Sequence, residues 1–328
     1  MSSANFDRYD LGTNVREDLA DMIYDISPTQ TPFMNGIGRG TCSNTYFEWM
    51  TDALTGAAVT QLVDGADAGT DDSAATTRIG NYCEIQGKVI RVSGRAEKVN
   101  KAGRRSELSY QIAQRSKELK RDIETSLTAN NASVAGNSTT ASETGGLRAW
   151  IETNDNIAGD GASGGFSAGI VAAATDGTVR ALTEANLRST IRGCYTSGGE
   201  PDTIMVGPTM KQVISEYLFT SSARIATLTR DANGSGQASA IGAVDVFISD
   251  FGTLKLIPNR FSRERDVFVL DMSMWEVKYL RPFFVKKLAV TGDAENRQIL
   301  ADYGLCSKNE AASGVVADTD STAAMTAS

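Results

Sequence analysis

The chain has 328 residues, 41% hydrophobic and 22% charged, a balance that belongs to a globular protein of two or three compact units and excludes a disordered chain. A net charge of -8 disfavours a surface that grips nucleic-acid phosphates, and the absence of histidine removes the commonest general base, triad partner and metal ligand. Cys42, Cys83, Cys194 and Cys306 form no CxxC pair, so buried free thiols are expected rather than a zinc, redox or disulfide framework.

No apolar run approaches the roughly 20 residues of a membrane helix, and the first residues have neither the basic flank nor the apolar stretch of a signal peptide. Synthesis and assembly in a cytoplasm are therefore expected. Residues 1–40 mix short apolar periods with turn formers: an extended arm, with one helix near Arg16 to Tyr24, broken by the two prolines of Ser27-Pro28-Thr29-Gln30-Thr31-Pro32-Phe33. From Asn44 to Thr51 aromatic and polar residues alternate as in a strand, and Glu84 to Val92 is predicted to return antiparallel to it. The small and acidic residues between, Asp64 to Asp72, make the tip of a long two-stranded flap.

Between Arg104 and Ala129 the period becomes helical, with Leu108, Ile112, Leu119, Ile123 and Leu127 forming a buried stripe and Lys117, Glu118, Lys120, Arg121 and Glu124 on the other, wet faces. This is the longest predicted helix. Loose Gly/Ala/Ser stretches follow on both sides of Gly145-Gly146-Leu147. Thr183 is the predicted N-cap of a helix carrying Leu187 and Ile191 and ended by Gly198-Gly199. A strand at Asp202 to Val206, a helix starting at Pro208 and short strands near Val244 to Ile248 and Thr253 to Ile257 complete an α+β unit. Strand-like runs then cover Val267 to Leu270, Val277 to Leu280, Phe283 to Val290 and Gln298 to Tyr303, and the Ala/Ser/Thr-rich tail from Ala317 to Ser328 is expected to be poorly ordered.

Two sharper motifs fail on context. Gly159, Gly161 and Gly164 spell GxGxxG with Glu184 downstream, but Asn154 to Ala158 is not the apolar strand a dinucleotide site needs, so a flexible glycine loop is expected. Asp64, Asp67, Asp71 and Asp72 miss the spacing and terminal glutamate of a calcium loop and read as a solvated or partner-facing tip. No cofactor is expected. The sequons at Asn131 and Asn233 carry no meaning in a cytoplasm.

Flap, long helix, inserted α+β unit and returning strands, in that order, resemble the tailed-phage major capsid proteins of the Hong Kong 97 type. The local wording continues the resemblance: Ser27 to Phe33, Gly145-Gly146-Leu147, Asp250-Phe251-Gly252, Ile257-Pro258-Asn259-Arg260-Phe261, Tyr279-Leu280-Arg281-Pro282 and Leu288-Ala289-Val290-Thr291-Gly292-Asp293. The implied fold is α+β, with an N-terminal arm (1–40), an extended β-hairpin loop (41–97) and a peripheral domain with the spine helix (98–182). An axial domain (183–265), peripheral return strands (266–306) and a C-terminal tail (307–328) follow.

The resemblance implies a shell subunit without enzymatic activity. Hexamers and pentamers of one polypeptide would enclose double-stranded DNA in a virion assembled in the host bacterial cytoplasm, with a portal and a decoration protein as further partners. No charged coiled coil precedes the match, so a separate scaffold protein is expected. A nanocompartment shell of the same fold is the main alternative, and a nucleotide-dependent enzyme using the glycine loop is the reading of a different class. By the same analogy the flap overlies a neighbour's spine, which makes Asp64, Asp67, Asp71 and Asp72 and the basic Lys101, Arg104 and Arg105 the subunit-contact candidates.

Overall fold

The computed structural model describes residues 27–325 except 55, 58, 60, 62, 63, 66, 68, 70–72, 102 and 221–244, with the backbone alone for 217–220. The helix expected from Arg16 to Tyr24 lies outside the described residues. No helix among the described residues is long and apolar enough to cross a membrane.

Helix α1 (Pro32–Gly36) opens on a proline, whose fixed φ and missing N–H suit a first turn. Next come β1 (Gly38–Thr41), the hairpin β2 (Tyr46–Thr51) and β3 (Thr77–Tyr82), then β4 (Glu84–Ser93), which runs into α2 (Gly94–Lys98). The spine α3 (Glu107–Thr128) starts where the Ser106 hydroxyl accepts the Ser109 N–H. Beyond it lie α4 (Leu147–Trp150), β5 (Asp155–Asn156) and the small hairpin β6 (Gly165–Ser167) and β7 (Ile170–Ala172). The inserted unit contributes α5 (Glu184–Thr196), β8 (Thr203–Val206), α6 (Pro208–Thr220), β9 (Val246–Ser249) and β10 (Gly252–Pro258). Last are β11 (Val267–Leu270), the long hairpin β12 (Trp275–Lys287) and β13 (Ala294–Ser307), and β14 (Gly314–Val316).

A four-stranded sheet has the order β1-β12-β13-β4, with β1 parallel to β12 and the other pairs antiparallel. Leu119, Ile123 and Leu127 of α3 share one core with Ile90, Val92, Ile299 and Tyr303 of this sheet. Each such fully buried aliphatic side chain stabilises the fold by about 1.5–3 kcal/mol. Leu108 and Ile112 are only partly buried against the same core, so the predicted stripe is tightly covered over the C-terminal half of the spine alone.

The second sheet is six-stranded, β5-β14-β11-β8-β10-β9, and its middle strands are buried on both faces. Met205, Phe268, Leu270 and Val315 point into the spine's core, while Ile204, Val206, Val267, Val269 and Val316 point into a second core with Leu187, Ile191 and Cys194 of α5. This is the period-2 geometry of a strand read in three dimensions. The Thr183 hydroxyl accepts the Asn186 N–H, as the predicted N-cap requires.

Four expectations need correction. Strand β4 does not return along β2: it pairs with β13 over ten residue pairs, and the flap's return strand is β3, in register from Tyr46 opposite Tyr82 to Thr51 opposite Thr77. The runs around Val277 and Val285 are one strand, β12, with register shifts on either side of Arg281 where Pro282 lacks a ladder N–H. The described part of the Ala317 to Ser328 tail is not loose: Ala317, Asp318 and Thr319 are buried, and Met325 packs into the second core. The glycine loop is not wholly free either, since a Cβ on Gly164 would sit 2.5 Å from the carbonyl oxygens of Ala149 and Ala172. In addition Val267 to Leu270, grouped by sequence with the return strands, forms part of the six-stranded sheet beside β8.

Candidate functional site

Three of the segments that carry the family resemblance meet at one carboxylate. Glu124 of α3 is fully buried and accepts the N–H groups of Phe33 and Met34, each at 2.8 Å, and the side-chain amide of Asn259 at 2.7 Å. Burial pushes its carboxyl up, against the donors that hold the charged form. The N-terminal segment and the chain leaving the six-stranded sheet are thus both tied to the spine.

The flap has a built root and an uncovered outer part. Asn81 of β3 is fully buried; its amide donates to Leu305 O at 2.7 Å and Thr144 Oγ1 at 3.1 Å, and its Oδ1 accepts the Gly145 N–H at 2.9 Å. Trp49 Nε1 donates to Ser307 O at 2.7 Å and the Tyr46 hydroxyl donates to Gly169 O at 3.0 Å. The stacked rings of Phe47 and Trp49 each lie 5.6 Å from Lys278 Nζ, and Gly304 leaves the space that the Phe47 ring fills. Further out, Met50, Leu54 and Val59 are 61%, 98% and 88% exposed. Glu48 pairs with Arg78 across the hairpin at 3.2 Å, and Asp64 and Asp67 are exposed on the connection. Asp71 and Asp72 lie outside the described residues.

The N-terminal half of α3 stands off β4 and leaves a groove of about 920 Å³ between them. Val89 and Val99 give it an apolar lining, and Lys101, Arg104 and Arg115 line it as well. The predicted basic residues are therefore together, but much of their charge is met within the subunit. Lys101 Nζ donates to the Ala96 and Glu97 carbonyls at 2.8 Å and lies 3.7 Å from Glu97 Oε2. Arg104 pairs with Glu107 and lies 5.0 Å from the Tyr110 ring centroid, and Arg115 pairs with Glu118. Hydrogen bonds from Gln111 and Arg104 hold the Glu107 carboxyl below its ordinary range. Arg105 and Lys98 are exposed.

A second surface left exposed among the described residues lies at the far edge of the six-stranded sheet. Ile248 of β9 is 79% exposed, and Phe251 in the β9–β10 turn packs its ring 4.9 Å from that of Tyr195 at the end of α5. A strand edge with apolar side chains, unpaired among the described residues, is a surface that another chain can cover. Among the described residues no group of three or more Asp, Glu, Cys or His is placed to hold a metal ion, and the four cysteines are free thiols.

A family model described as the SU10 major capsid protein matches residues 3–320. The chain belongs to this family. It is a structural subunit of a tailed-phage capsid, and many copies build the virion's shell. The major capsid protein of Escherichia phage Phieco32 is 28% identical over 338 residues, covering 90% of this chain and 92% of that one. The capsid of cyanophage A-1(L) has the same Hong Kong 97-like fold, with a TM-score of 0.65 at 12% identity over 96% of this chain and 99% of that one. The SrpI encapsulin of Synechococcus elongatus PCC 7942 aligns over 98% of each chain with a TM-score of 0.54 at 12% identity.

Within this capsid subunit, sequence reasoning missed Asn81 and put Glu124 on a wet face of the spine, where the structure buries it fully. Glu124 did carry a signal, a carboxylate one residue from the buried Ile123 on a spine stripe, but its partners lie 90 or more residues away. Asn81 sits in a stretch, Thr77 to Tyr82, that lacks strand alternation and resembles a turn.

Proposed function

We propose that the subunit builds hexamers and pentamers of a closed icosahedral shell around double-stranded DNA, and that the flap of each copy lies over the groove between α3 and β4 of a neighbour. The observation that carries this reading is the pairing of surfaces within one chain. The flap's outer part exposes Leu54, Val59, Asp64 and Asp67, and the groove combines Val89 and Val99 with exposed cations at its end, Lys98 and Arg105. Covering Leu54 and Val59 would contribute about 1.5–3 kcal/mol each per contact, and the opposite charges would fix register. The exposed edge at β9 and Phe251 would close the capsomer around its axis.

A separate scaffold protein would guide assembly in the host cytoplasm, with a portal at one vertex and a decoration protein as outer partner. The net charge of -8 suits a container that must hold DNA without adhering to it. The encapsulin likeness keeps a cargo-holding shell as the second reading; copurifying enzyme in place of nucleic acid would favour it.

The contact is tested by reversing Asp64→Lys and Asp67→Lys together and then adding Lys98→Glu and Arg105→Glu. The first pair is expected to lower shell yield and make it salt-dependent, and the second pair to restore part of it. Shell yield and salt midpoint unchanged by the first pair would remove the electrostatic part of the flap contact.

A further inference from the structure

We propose that Cys42 and Cys83 form an oxidisable thiol pair that closes to an intramolecular disulfide and clamps the root of the flap. Their Sγ atoms lie 3.5 Å apart, inside the cluster formed by Phe47, Trp49, Leu280 and Cys306. A disulfide needs about 2.05 Å between sulfurs, so a small side-chain adjustment bridges the gap. Position gives the pair its consequence. Cys42 is the first residue after β1 and donates its N–H to Tyr279 O at 3.1 Å; Cys83 is the single residue between β3 and β4 and donates its N–H to Thr45 O at 2.7 Å. The chain between them is the whole flap. A bond here joins its two roots, which leave from opposite edges of the four-stranded sheet.

The two thiols differ in access, and this orders the reaction. Cys42 is half-buried while Cys83 is 2% exposed; burial raises both thiols, and it pushes the Cys83 thiol well above its ordinary range. Cys42 is therefore the entry point. Its thiolate attacks one sulfur of an oxidised low-molecular-weight disulfide, expelling one thiolate and leaving a mixed disulfide on Cys42. The Cys83 sulfur then attacks Cys42 Sγ, the Cys42–Cys83 bond forms, and the second small thiol leaves. Two protein thiols are oxidised, one small disulfide is reduced to two thiols, and the two protein protons end on those thiols. A virion spends part of its existence outside the reducing interior of a cell, where such a pair can stay closed.

The test uses assembled shells of the full chain. Particles are incubated with oxidised glutathione, residual thiols are alkylated, and the digest is read by mass spectrometry beside a non-reducing gel and a melting curve. The expected result is a Cys42–Cys83 linked peptide, a monomer band with no ladder, and a melting temperature raised by about 5 °C that dithiothreitol reverses. Cys42→Ser and Cys83→Ser should each abolish the linked peptide and the shift, whereas Cys194→Ser should keep both. The wild-type digest decides the matter even if a variant folds poorly. Full alkylation of both cysteines after oxidation, a product arrested as the Cys42 mixed disulfide, a bond between subunits, or a linked pair without a rise in melting temperature would each overturn the proposal.

Discussion

Arg148 Nη1 lies 3.0 Å from Asp155 Oδ2, and neither side chain retains any solvent exposure. Arg148 belongs to α4, directly after the Gly145-Gly146-Leu147 segment, and Asp155 to the outermost strand of the six-stranded sheet, so this pair bolts the spine's core to that sheet. Asp266, just before β11, faces the same guanidinium at 4.0 Å and is met from its other side by Arg263 at 3.2 Å. Removing one member of a buried pair leaves an uncompensated charge and costs about 3–5 kcal/mol. Arg148→Leu is therefore expected to lower subunit stability by that amount in urea unfolding, and Arg148→Leu with Asp155→Leu and Asp266→Leu to cost much less. Equal losses for the single and triple variants would show that shape at this site matters more than charge.

The pH response has a sign that follows from burial. Asp266 is pushed up to about 6 by burial, with Arg263 and Arg148 opposing and Asp176 adding to the rise. Its carboxyl is thus protonated in the folded subunit at a pH where the unfolded chain still carries the charge. The folded state binds more protons there, so this group's contribution grows as pH falls from about 6 toward 4 and is lost above about 6. Glu97, Glu107, Asp160 and Asp320 are shifted the other way, and their contributions are lost as pH falls through their folded values. The stability difference between wild type and Asp266→Asn should therefore widen in favour of wild type between pH 7 and pH 4, by up to about 3 kcal/mol. A pH-independent difference would mean that Asp266 titrates as an ordinary carboxylate.

Asn81 holds the flap root to the spine-proximal turn and to β13 at once. Asn81→Ala would leave the Leu305 carbonyl and the Gly145 N–H without their side-chain partner, at about 1–3 kcal/mol for each buried group left unpaired. The expected phenotype is a folded but less stable subunit whose flap residues gain hydrogen-exchange rate and whose shell yield falls. Unaltered exchange across residues 46–51 and 77–82 would place the flap's anchorage in Trp49 and Tyr46 instead.

The parts of this fold that follow from local periodicity were legible. The stripe Leu119, Ile123, Leu127, the N-cap at Thr183 and the strand at Thr203–Val206 need no distant partner to be recognised. What escaped depends on tertiary company. Strand β3 is hidden because Gly80 must lie under the Tyr46 ring and Asn81 must face buried carbonyls, so neither position shows the apolar signature of a strand. Glu84 to Val92 alternates well enough for either partner, and only the length of β13 decides between them. The tail reads as low complexity, yet Asp318 is held at 2.5 Å by Arg265, and Ala317 and Thr319 are buried. Of the contact candidates, Lys101, Arg104 and Arg105 lie close together, but the carboxylates that meet Lys101 and Arg104 lie on their own subunit, at Glu97 and Glu107.

Cryo-electron microscopy of shells assembled from the full chain tests the central claim most directly, because it shows what covers the groove between α3 and β4. The account predicts a closed icosahedral particle in which residues 52–76 of one subunit occupy that groove on its neighbour, with Leu54 and Val59 against Val89 and Val99 and the acidic tip beside Lys98 and Arg105. A closed particle in which the groove stays open to solvent, or is filled by some other segment, would contradict it.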